Sequence, residues 1–145
     1  MPVDTLKVII LAAGMSSRLG ELTVQLPKSC LPIDGRITML ERNLQILEQC
    51  GFESAVVVTG HAGSVIEDFV KHRVSSMHIE TLSNNEFATM NNIYTCYLVR
   101  DILDDSTLIM NSDLVVSKRI IQLAVDRMKV SEKSFMMVDD HNQVD

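Results

Sequence analysis

The amino-acid sequence predicts an α/β domain with three layers, α/β/α, around a mainly parallel sheet. Two observations carry this. Apolar runs of strand length alternate with stretches of helical period, and those runs are continuous and β-branched rather than alternating apolar with polar. The chain has 145 residues, 46% hydrophobic and 22% charged, which is enough for one such domain with a substantial core.

The elements follow in order. "LKVIIL" (6–11) is a strand buried on both faces, interrupted by one lysine. "ITMLERNLQILEQCG" (37–51) sets Leu40, Leu44 and Leu47 on one helical stripe and stops at a glycine. "SAVVVTG" (54–60) is a second buried strand, and "SVIEDFVKHR" (64–73) is the short helix after it. "MHIETL" (77–82) reads as the third strand, "SNNEFATM" (83–90) as a polar loop, and "NNIYTCYLVRDIL" (91–103) as a helix. "STLIMNSD" (106–113) is the fourth strand, "SKRIIQLAVDRMKV" (117–130) a helix, and "SFMMVDD" (134–140) the beginning of another strand. No repeat or linker divides the chain, so residues 1–145 are expected to form a single domain.

Composition narrows the function. A net charge of −6 argues against wrapping a nucleic-acid backbone, although a small anion needs only local cations. Cys30, Cys50 and Cys96 lie far apart with no Cys-x-x-Cys, so they read as free buried thiols in a reducing compartment. The apolar run Val8–Ala13 is too short for a signal or a membrane span, and a cytoplasmic protein without a membrane partner is expected.

In parallel sheets, ligands bind where the loops leave the carboxyl ends of the strands. The loops after residue 11, after residue 82 and from Asn111 onward are rich in Gly, Ser, Asn, Arg or Asp. In the first of them, Gly14 can take backbone angles closed to other residues. The small Ala12, Ala13, Ser16 and Ser17 let successive amides turn inward as an anion nest. Arg18 offers a fork of donors, and Lys28, after Pro27, brings back a point charge. Residues 14–29 hold two cations, Arg18 and Lys28, against one anion, Glu21. The sign suits phosphates. A tight turn with two solvated cations would have the same composition. A Walker loop is absent, since Glu21 follows Gly20 where a lysine is required, and so is the Gly-x-Gly-x-x-Gly of dinucleotide-binding domains.

"LAAGMSSRL" (11–19), followed by "PKS" (27–29), resembles the signature of nucleotidyltransferases that join an NTP to a phosphate-bearing acceptor. That pattern reads Leu-Ala-(Ala/Gly)-Gly-x-(Gly/Ser)-(Ser/x)-Arg, then a gap, then Pro-Lys. The gap often holds Pro-Leu-Thr in the family. Here Thr23 matches and Glu21 replaces the proline, which removes no phosphate ligand. The resemblance implies a nucleotide-diphospho-sugar transferase-like, Rossmann-related fold. It also implies nucleotide contacts from Leu11, Ala12, Ala13, Gly14, Met15, Ser16, Ser17, Arg18 and Lys28.

In "NSD" (111–113), Asp113 is a turn or cap by composition alone. By resemblance it holds Mg2+, with Asn111 and Ser112 in support, so Lys28, Arg18 and Asp113 become the catalytic set. "NNEFATMNNIYTCYLV" (84–99) offers Asn91 as a helix cap and Ile93, Tyr97 and Leu98 for packing. It also resembles the "N…NN-(I/F)-Y-(S/T)-x-Y-L" segment of a narrower, phosphocholine cytidylyltransferase-like or MobA-like group. That likeness implies CTP as donor, with Asn84, Asn91 and Asn92 near the nucleotide. His61 is expected to be structural, Tyr94 and Tyr97 to belong to the core, and Asp139, Asp140 and His141 to form a turn.

The implied partners are CTP or another NTP and a small phosphorylated or phosphonate acceptor, with no nucleic acid. The implied pathway is precursor synthesis for a cell-surface polymer or phospholipid. A sugar-1-phosphate or molybdopterin-type transferase and a non-catalytic NTP-binding module remain the alternatives. The family pattern continues past residue 145 to acceptor-pocket strands and a second metal-binding Asp. The chain therefore reads as an N-terminal portion, with NTP binding but weak or no turnover alone and an uncovered sheet edge that invites self-association.

Overall fold

The computed structural model describes residues 5–15 and 17–138, without the side chains of Ser17 and Arg18. Four parallel strands form the sheet: β1 (Lys7–Ala12), β2 (Ser54–Thr59), β3 (His78–Ser83) and β4 (Thr107–Asn111), in the order β3-β2-β1-β4. The central strand β1 carries Val8, Ile9 and Ile10 with no exposed surface, which is why its sequence runs apolar without alternation.

Among the described residues four helices cover the sheet: α1 (Met39–Gln49), α2 (Gly63–His72), α3 (Asn92–Leu98) and α4 (Lys118–Val130). Val8, Ile10 and Ala12 point to the face packed by Leu40, Leu44 and Leu47 of α1, Ile66 of α2, and Ile121 and Val125 of α4. Ile9 and Val58 point the other way, against Val99 at the end of α3. The three expected layers are therefore present, with the second face more thinly covered. Thr38 caps α1 through the amide of Glu41 at 3.2 Å, and Gly51, at φ 88°, ends it.

Two expectations need correction. The helix expected over 91–103 stops at Leu98, and a separate 3-10 turn covers Arg100–Ile102. The strand expected from residue 134 does not form within 134–138, where Met136, Met137 and Val138 are exposed. A strand exists through its ladder, and residues 134–138 pair with neither edge of the sheet. The turn expected at Asp139, Asp140 and His141 lies outside the described residues.

The strand order places the site. From β1 the chain moves outward through β2 to β3, then crosses back to lay β4 on the opposite side of β1. The carboxyl ends of β1 and β4 flank the point where the winding reverses, and such a point opens a crevice. Among the described residues no helix is long and apolar enough to cross a membrane.

Candidate active site

The crevice at the ends of β1 and β4 is a recess of about 150 Å³. Leu11, Ala12 and Gly14 form one wall, Lys28 and Ser29 the second, and Asn111, Ser112 and Asp113 the third, with Asn92 from the start of α3 at the rim. Ordinary small-molecule pockets occupy roughly 300–1,000 Å³, so this recess suits a cluster of phosphates better than an entire nucleotide.

Pro27, with φ −59°, leads into a 3-10 turn at Lys28–Cys30, closed by the amide of Cys30 on the Pro27 carbonyl at 2.8 Å. The turn aims Lys28 across the recess, where Nζ donates to Asp113 Oδ2 at 3.0 Å. Asp113 is placed from the other side, because the Ser112 amide donates to the Leu11 carbonyl at 3.1 Å and extends the β1–β4 pairing by one bond. Both charged side chains remain partly exposed, at 36% and 46%, and so open to a ligand.

Gly14 departs from expectation in its reason. Its φ lies outside the left-handed region, so the backbone does not need glycine there. A Cβ at this position would meet nothing within 4 Å, so what glycine contributes is open space on the recess wall. The left-handed position in this loop is Gly20, at φ 56° inside the 3-10 segment Ser17–Thr23.

The remaining expected residues divide. Ala13 is buried behind the wall and Met15 is exposed. Ser16 and the side chains of Ser17 and Arg18 lie outside the described residues. Asn91 caps α3 by accepting from the Ile93 amide at 3.1 Å. Asn84 does not reach the recess. It is buried, its Nδ2 donating to Thr95 Oγ1 at 3.1 Å and its Oδ1 accepting from the Glu86 amide at 2.9 Å, so it shapes the loop before α3. Tyr97 is not core: it is 54% exposed, stacked on Tyr94 at 6.1 Å with Arg100 3.9 Å above its ring. Ile93 is likewise exposed, and Cys96, expected to be buried with Cys30 and Cys50, is only partly so on this short helix.

Three residues beyond the expected set support the loop. His61 Nε2 lies 2.7 Å from the Thr23 carbonyl and its ring tilts against Phe87, tying the loops after β1, β2 and β3 together. Gly60 makes that contact feasible, since a Cβ there would stand 2.5 Å from the Ala13 carbonyl oxygen. Ser29 is buried in the recess wall and adjoins Cys30, whose thiol is pushed up by burial. Only the adjacency of Ser29 to Lys28 was visible beforehand.

Fold and recess together define an α/β domain with a lysine and a carboxylate poised over a phosphate-sized crevice. The chain belongs to the MobA-like NTP transferase domain family, which matches residues 8–144. It is 33% identical over 112 residues to a choline-phosphate cytidylyltransferase of Haemophilus influenzae, covering 77% of this chain and 46% of the relative. It is 29% identical over 116 residues to a CMP-5'-(3-aminopropyl)phosphonate synthase of Streptomyces rubellomurinus, covering 80% of this chain and 18% of the relative. The structure of CTP:phosphocholine cytidylyltransferase from Streptococcus pneumoniae superposes with a TM-score of 0.67 at 25% identity, over 75% of this chain and 45% of that one. The chain thus spans less than half the length of these relatives.

Proposed function

We propose that this domain transfers CMP from CTP to a small phosphate- or phosphonate-bearing acceptor and releases pyrophosphate. The observation that carries the reading is the Lys28–Asp113 pair across the recess at the reversal between β1 and β4. The relatives whose names specify phosphocholine or phosphonate chemistry support the choice of donor and acceptor class.

An acceptor oxygen attacks the α-phosphorus of CTP, a new P–O bond forms, and the bond to the pyrophosphate oxygen breaks in line. The attacking oxygen is already anionic, so no general base is needed. The barrier lies in bringing two anions together, and positioning and electrostatics carry the catalysis. Lys28 holds the α-phosphate and the charge that develops on it. Arg18 and the amides of residues 13–17 hold the β- and γ-phosphates. Leu11, Ala12 and Gly14 form the wall on which the triphosphate lies, and Asn92 faces the nucleotide at the rim, with Asn91 beside it at the cap of α3.

The donor chemistry suits Mg2+. Asp113 offers one hard carboxylate with Asn111 and Ser112 beside it, and nucleotide-bound Mg2+ takes one or two carboxylates, completing its shell with phosphate and water. Among the described residues there is no cluster of three or more His, Cys, Asp or Glu, which fits an ion brought in with the nucleotide rather than a protein cage. Asp113 would hold such an ion, which would supply positive charge to offset that of the phosphates. The open edge of β4, with Ile109 exposed, is the surface we assign to self-association.

The test is pyrophosphate release with Mg2+ and each of the four NTPs, against phosphocholine, 2-aminoethylphosphonate and glucose 1-phosphate. CTP with one of the first two should give the largest rate. Release with glucose 1-phosphate alone would replace the reading with a sugar-nucleotide one, and nucleotide binding with no release in any pairing would leave a binding module.

A further inference from the structure

Helix α1 contains a residue that its packing does not explain. Leu40, Leu44 and Leu47 form a fully buried stripe, and Asn43 sits within that stripe at 1% exposure. The helical period calls for an apolar side chain there. A buried amide is costly unless its polar atoms are paired, and Asn43 Oδ1 finds no partner among the described residues. Its Nδ2, however, donates to the carbonyl of Leu114 at 2.8 Å.

Leu114 immediately follows Asp113. The preceding residue, Ser112, is fixed to β1 through the Leu11 carbonyl at 3.1 Å. Asp113 is therefore held by one hydrogen bond to its neighbouring residue on each side, a backbone bond from Ser112 to the sheet and a side-chain bond from α1 to the Leu114 carbonyl. Arg42 reinforces the second hold, with Nη1 donating to the Val116 carbonyl at 2.6 Å. The same helix also carries the turn that aims Lys28, because its first amide, at Met39, donates to the Leu31 carbonyl at 3.3 Å. Both members of the Lys28–Asp113 pair rest on one helix.

We infer that Asn43 is a positioning residue for the Asp113 carboxylate, locking the backbone behind it so that the carboxylate meets a metal-bound triphosphate in one geometry. This rests on the function proposed above for Asp113. It accounts for an amide in an apolar stripe, and a displacement of about 1 Å at such a site can cost on the order of 10² in rate.

Asn43→Leu keeps the size of the side chain and removes the donor. Two measurements on the 145-residue chain decide the matter. The first needs no nucleotide: amide exchange of Ser112 by NMR, expected to accelerate at least about fivefold while the amides of β1 keep their protection. The second is a double-mutant cycle on CTP affinity in the presence of Mg2+. Asn43→Leu should weaken binding about tenfold in the parent protein but less than about twofold in Asp113→Asn, because an effect exerted through Asp113 vanishes with it. A purely structural defect would weaken both equally. Unchanged Ser112 exchange in a folded Asn43→Leu protein, or equal losses in both backgrounds, overturns the inference. If the parent protein shows no metal-dependent CTP binding, the proposed function has failed, and the exchange measurement still decides what Asn43 holds. If Asn43→Leu does not fold, Asn43→Ala, which also removes the donor to Leu114, replaces it under the same two criteria.

Discussion

Lys28 Nζ and Asp113 Oδ2 lie 3.0 Å apart although 85 residues separate them in the chain. The parallel pairing of β1 with β4 produces this meeting, because each residue belongs to the loop leaving one of those two strands. A half-exposed ion pair contributes little to stability. A cation and a carboxylate stand together at one point, and in the function proposed above each would have a separate partner in a metal-bound triphosphate.

Replacing Lys28 should therefore separate activity from folding. Lys28→Ala is expected to lower kcat/KM for CTP by on the order of 10² to 10³, the usual loss for one preorganised donor. Its circular dichroism melt should match that of the parent. Activity within about threefold of the parent would remove Lys28 from the mechanism.

Two glycines of neighbouring loops should respond in opposite ways. Gly14→Ala places a methyl group in open space on the recess wall. It should move Tm by less than about 2 °C while weakening CTP binding about tenfold. Gly60→Ala drives a methyl group to 2.5 Å from the Ala13 carbonyl oxygen and against Phe87. Overpacking of that kind costs about 1–3 kcal/mol, so Tm should fall by roughly 4–10 °C. Thermal melts and titrations of both variants check the contrast.

Acid should weaken the fold through Glu48. The guanidinium of Arg73 donates to it, Ser75 and the Met77 amide add hydrogen bonds, and together they lower its pKa from 4.5 to about 2 despite partial burial. A carboxyl depressed in the folded state stabilises fully above its unfolded value, and that contribution disappears as pH falls from about 4.5 towards about 2. The amount is on the order of 2 kcal/mol. Urea melts of the parent and Glu48→Gln across this window should converge at the acid end, with the parent more stable at neutral pH. Parallel curves would show that the network carries no such linkage.

The free edge of β4 leads to a prediction about assembly. Ile109 is 41% exposed on that strand, and β4 has no neighbour on its outer side among the described residues. Sedimentation velocity of the 145-residue chain should show concentration-dependent association that Ile109→Lys reduces, since a charge on an edge strand opposes pairing. Association unchanged in the variant would place the contact elsewhere.

The sheet was legible because Val8–Ile10 and Val56–Val58 are apolar on both faces, a pattern that few structures other than a covered parallel strand require. The recess was legible through Gly14, Lys28 and Asp113, which stand at strand ends where the topology must gather loops. Asn84 was not legible: an asparagine ahead of a helix looks the same whether it faces a ligand or, as here, Thr95. The exposed 134–138 run has strand composition but pairs with neither open edge of the sheet, and composition cannot tell where a ladder forms. His61 on Thr23 and Gly60 on Ala13 are contacts between loops, invisible to periodicity. Asn43 is an intermediate case. Its neighbours Leu40, Leu44 and Leu47 were read as the stripe, but the meaning of Asn43 depended on which carbonyl lay above it.

The most direct test is calorimetric titration of CTP into the protein, with Mg2+ and then with chelator, repeated for Lys28→Ala. Binding that requires the metal and falls at least about tenfold without the lysine is the expected result. Equal affinity in the presence of Mg2+ and of chelator, or a Lys28→Ala variant that binds as the parent does, would contradict the account.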